Sequence, residues 1–125
     1  MKRFVLLVFV AILSSSMAAF GQTKKGASKA VTIKGEIVDI ACYLAQGARG
    51  PGHAACATAC AKAGGALGIL APDGKLYVSV LPDDHKHNPN YLLMDHIGQT
   101  VDAKGFVRSK GGVNGMMILS VAMAQ

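Results

Sequence analysis

The chain has 125 residues, with 13 lysines and arginines against 7 acidic residues and a formal net charge of +6. That length accommodates one domain behind an N-terminal segment. Removing Lys2 and Arg3 with that segment lowers the charge to +4, a mild basic excess that argues weakly for an anionic partner.

Residues 1–21 read as a signal peptide. Lys2 and Arg3 form a positive start, Phe4 to Leu13 is an unbroken apolar run, and Ser14 to Ser16, Ala18 and Ala19 supply small residues for cleavage after Ala18 or Gly21. The apolar run is too short to span a bilayer, and no later segment is long and apolar enough to do so. No cysteine follows the run, which argues against a lipid-anchored form. The expected location is therefore the periplasm or the exterior. Residues 22–30 read as a flexible basic leader, and residues 31–125 as the folded domain.

Val31 to Tyr43 predicts a first strand that changes apolar parity near Gly35, as a strand serving two sheets does, through a bend or a bulge. It delivers Asp39 and Cys42 to one end of the fold. The Ala-rich run Ala54–Ala63 predicts a short helix, ended by Gly64-Gly65. Leu67–Leu70 and Lys75–Leu81 flank Ala71-Pro72-Asp73-Gly74, a turn sequence that predicts a hairpin. Asn88 and Pro89 read as the N-cap and first residue of a helix over 89–97, stopped by Gly98. Thr100–Ser109 and Gly115–Met123 are the last two strands. In the final strand Met117, Leu119, Val121 and Met123 share one parity, which predicts that these methionines pack in the core. Five strands, with a short helix after the first and a helix between the third and fourth, are the order of an OB-like barrel, a mainly β fold.

The run Lys34 to Tyr43, the segment Gly52-His53-Ala54-Ala55-Cys56 with Cys60, the hairpin Asp73-Gly74-Lys75-Leu76-Tyr77, and Gly98-Gln99-Thr100-Val101 with Lys104-Gly105 together cover most of the mature chain. In these residues the chain resembles a group of small exported bacterial proteins of uncharacterised function with an OB-like barrel. The resemblance implies that fold and an exported location, and it implies no activity.

All three cysteines lie between residues 42 and 60. On a helix His53, Cys56 and Cys60 stand at i, i+3 and i+7, on one face. The glycine-rich loop after Cys42 can fold that thiol back onto them. Cys42, His53, Cys56 and Cys60 are thus a Cys₃His set for zinc or copper(I). The spacing differs from that of a zinc finger. A disulfide from Cys42 to Cys56 or Cys60 with one thiol left over is the structural alternative, and a thiol redox pair is a third. Neither a Cys-x-x-Cys nor a thioredoxin-like pattern accompanies the third reading.

Asp83, Asp84, His85 and His87 form a polar loop better read as solvated than as a metal site, and His96 reads as a surface or capping residue. Few aromatics (Tyr43, Tyr77, Tyr91, Phe106) and the expected export argue against single-stranded nucleic acid as partner. A small ligand or partner protein on the barrel face remains the binding alternative. The sequence contains no nucleophile elbow, Walker loop or dinucleotide fingerprint, so a non-enzymatic role leads.

Overall fold

The computed structural model describes residues 29–81 and 86–125; the expected signal peptide, most of the leader, and Asp83, Asp84 and His85 lie outside them. Five strands close a barrel in the order β1-β2-β3-β5-β4. β1 spans Val31–Asp39, β2 Leu67–Leu70, β3 Leu76–Ser79, β4 Thr100–Lys110 and β5 Val113–Met123. All neighbours are antiparallel except β3 and β5, which run parallel. This is an OB-like barrel.

β1 serves two neighbours in succession. Val31 to Glu36 pair with β4, and Glu36 to Asp39 pair with β2. The changeover falls beside Gly35, where a β-carbon would meet Ile69 Cγ2 and the Leu70 carbonyl oxygen at 2.6 Å. A glycine is needed there because the second strand passes so close.

The first strand is shorter than expected. It stops at Asp39, and residues Ile40–Gln46 form a helix, α1, so Cys42 sits on a helix instead of a strand. The cause is local. Asp39 is extended (φ −72°, ψ 122°) and its side chain accepts the Cys42 backbone N–H at 2.7 Å, a helix N-cap. Gly47 closes the helix in the left-handed region at φ 68°.

A 3₁₀ turn over Pro51–His53 leads into α2, Ala54–Lys62. α2 buries Ala57 and Ala61, small residues that bring it close to β1. It ends in a Schellman motif: Gly64 N–H bonds to the Ala61 carbonyl at 3.1 Å and Gly65 N–H to the Cys60 carbonyl at 2.8 Å. The β2–β3 hairpin turns through Ala71–Gly74, with Gly74 N–H on the Ala71 carbonyl at 2.9 Å.

The segment between β3 and β4 is tighter than a full helix. Turns over Pro89–Leu93 precede a 3₁₀ helix, Met94–His96. Asn88 Oδ1 accepts the Asn90 N–H at 2.8 Å, as a cap does. The buried Asn90 side chain then bridges the Gly65 carbonyl at 2.7 Å and the Leu67 N–H at 3.0 Å, tying this segment to the end of α2. Its Leu93 and Ile97 join Ile37, Leu67, Ile69, Val101, Ala103, Met116 and Ile118 in one core.

The final strand corrects one expectation. Met116 and Ile118 face the core, whereas Leu119 and Met123 are 50% and 53% exposed and Met117 is half-buried. The register shifts at Lys104/Gly105, so Gly105 pairs with Ile118 while Lys104 pairs with Ser120. Leu119 is the extra residue of a bulge, and the inward parity resumes at Val121, which packs against the core. A constant alternation cannot anticipate that shift.

Candidate metal centre

The Asp39 cap fixes the start of α1 and with it Cys42. The loop leaving α1 is held at Gly50, whose N–H donates to Glu36 Oε1. Gly98 lies so close to that loop that a β-carbon would sit 2.8 Å from the Gly50 carbonyl oxygen. The His53 N–H closes the 3₁₀ turn on that same carbonyl at 3.0 Å, which places the imidazole at the entry to α2. Cys56 and Cys60 follow on α2.

Two groups of ligand atoms result. Those of Cys42, His53 and Cys56 all lie within 4.8 Å of one another, and so do those of Asp39, Cys42 and Cys60. Cys42 belongs to both. Cys56 and Cys60 share neither group. The predicted four-residue set is therefore arranged around Cys42, with Cys60 about one turn beyond Cys56 and in the other group. These Cys, His and Asp groups can hold a metal ion. Asp39, read from the sequence only as a strand-end carboxylate, is the added residue. Its signal was the Asp-x-x-Cys spacing, which is also the N-cap spacing.

Asp39 is 1% exposed. Its Oδ1 is used by the cap, while Oδ2 is buried without a hydrogen-bond partner, as is Nε2 of His53. Buried polar atoms of this kind normally have partners. None of the three cysteines is in a disulfide in this structure, and the Cys42 sulfur lies within 4.8 Å of those of both Cys56 and Cys60. Cys42 is half-buried and Cys56 exposed. The adjacent Asp39 side chain first, then desolvation and the charges of Asp39 and Cys60, push Cys42 up to about 12. A nucleophilic redox thiol needs the opposite shift.

His96 is half-buried and its Nδ1 has no partner; His87 stacks on Tyr91 with ring centroids 5.0 Å apart. Neither joins the groups around Cys42. Tyr77 packs against the core. Tyr43 instead lines an open groove of about 290 Å³ with Glu36, Arg49 and Thr100. Among the described residues no helix is long and apolar enough to cross a membrane. Comparison with protein families, curated proteins and solved structures finds no match.

Proposed function

We propose that this chain is an exported, non-enzymatic protein that binds zinc or copper(I) at the Cys42 thiolate, with His53 and Cys56 completing the primary ligand group. The observation that carries this reading is the convergence of those three ligand atoms within 4.8 Å. Two sulfurs and an imidazole suit both ions, which favour thiolate and nitrogen donors. The partnerless His53 Nε2 adds support, since the histidine is positioned without a protein hydrogen bond to that atom. Export rests on the apolar run Phe4 to Leu13 and the small residues after it.

Native mass spectrometry of the chain purified under reducing conditions without chelator tests the reading. Bound zinc or copper in the wild type, lost in Cys42→Ala, is the expected result; a metal-free protein that takes up neither ion on titration contradicts it. An N-terminus near residue 22 in the periplasmic fraction or the medium tests export. The groove lined by Glu36, Tyr43, Arg49 and Thr100 supports a second reading, a barrel-face module for a small polar ligand. Ligand-induced thermal shifts that vanish in Arg49→Ala would favour it.

A further inference from the structure

Asp39 has one oxygen committed to the α1 cap and one buried oxygen with no partner. An Asp39 carboxylate oxygen lies with the thiols of Cys42 and Cys60, in the half of the cluster that His53 and Cys56 do not reach. A buried carboxylate oxygen is costly unless something pairs with it. Gly65 keeps the approach open on one side: a β-carbon there would stand 3.2 Å from Asp39 Oδ2.

We propose that Asp39, Cys42 and Cys60 form a second zinc site, joined to the first through a Cys42 thiolate that bridges both ions. The proposal rests on the metal-binding reading above and deepens it. A thiolate sulfur has lone pairs enough for two metal ions, and Cys42 is the one residue common to both groups. Charge points the same way. With Cys42, Cys56 and Cys60 as thiolates and Asp39 as carboxylate, the four negative ligands balance two divalent ions; a single zinc at Cys42, His53 and Cys56 leaves the buried Asp39 carboxylate without a counter-charge. The Asp39 oxygen also selects the ion. Zinc accepts carboxylate, imidazole and thiolate together, whereas copper(I) prefers the soft donors alone. Each zinc then has three protein ligands, and binding displaces the thiol protons.

The test is native mass spectrometry of the reduced full chain titrated with zinc, together with X-ray absorption at the zinc edge. Two ions in the wild type, one in Cys60→Ala, one in Cys56→Ala, and zinc–zinc scattering at about 3.5–4 Å are expected. Saturation at one ion, unchanged in Cys60→Ala, overturns the second site and leaves the first standing. Two ions retained by Cys60→Ala also overturn it, because the second ion then lies elsewhere. No bound zinc overturns it together with the reading beneath it. If Cys60→Ala does not fold, the presence or absence of zinc–zinc scattering in the wild type decides the matter.

Discussion

Asp39 meets Cys42 twice, at its backbone N–H and at its thiol. Oδ1 accepts the Cys42 backbone N–H at 2.7 Å, while the side chain also lies against the Cys42 thiol, within the 4.8 Å cluster that includes Cys60. One residue therefore starts a helix and sets the chemistry of the thiol that the helix carries.

The two roles separate by substitution. Asp39→Ala removes the cap and should cost about 1 kcal/mol of stability, within a range of roughly 0.5–2. Asp39→Asn keeps a good capping residue and should stay closer to the wild type, while losing the carboxylate charge. Urea denaturation of the metal-free proteins measures both. Equal stability of the wild type and Asp39→Ala would show that the cap contributes nothing.

Thiol reactivity should follow the environment. In metal-free reduced protein Cys56, which is exposed, should be alkylated first. Cys42, pushed up to about 12 from an ordinary value of 9.0 by the adjacent Asp39 side chain, by desolvation and by neighbouring charge, should react last near pH 8. Asp39→Asn should speed it. Peptide-resolved mass spectrometry of a timed alkylation reads the order, and a Cys42 that reacts as fast as Cys56 would contradict it.

The same shift fixes a pH dependence. The folded chain holds the Cys42 proton to higher pH than the unfolded chain, so between about pH 9 and 12 the native state binds more protons. That contribution to stability is fully present below about pH 9 and is lost as pH rises through the window. Metal-free wild type should lose stability across it more steeply than Cys42→Ala, as pH-dependent urea midpoints would show. Parallel curves would contradict the assignment.

Much of the fold was legible because it is written locally. The hairpin at Ala71–Gly74 and the end of α2 at Gly64-Gly65 are turn chemistry, and the strand order followed from counting apolar runs between them. α1 was hidden because Val38, Ile40 and Tyr43 favour strands, so Val31 to Tyr43 read as one. The competing signals, Asp39 as a cap and Gly47 as a left-handed stop, were present in the sequence. The Leu119 bulge was not legible, since it depends on the register between β4 and β5. At the candidate centre, the spacing of His53 and Cys56 was readable, but the separation of Cys60 from them required the position of α1.

The core makes a sharper claim. Leu93 is 0% exposed and sits in the segment between β3 and β4 that has the least regular structure. Leu93→Ala should destabilise the domain by about 2–5 kcal/mol, read as a lower urea midpoint with an unchanged slope. A small effect would mean that this segment is detached from the barrel.

The measurement that reaches the central claim most directly is zinc protection of the cysteines. The reduced chain is alkylated with and without a stoichiometric excess of zinc, and each cysteine is followed separately. A metal centre at Cys42, His53 and Cys56 predicts that zinc slows the alkylation of Cys56, the exposed and otherwise most reactive thiol, and that His53→Ala weakens this protection. If Cys56 reacts at the same rate with and without zinc, and likewise with and without copper(I), the centre is contradicted.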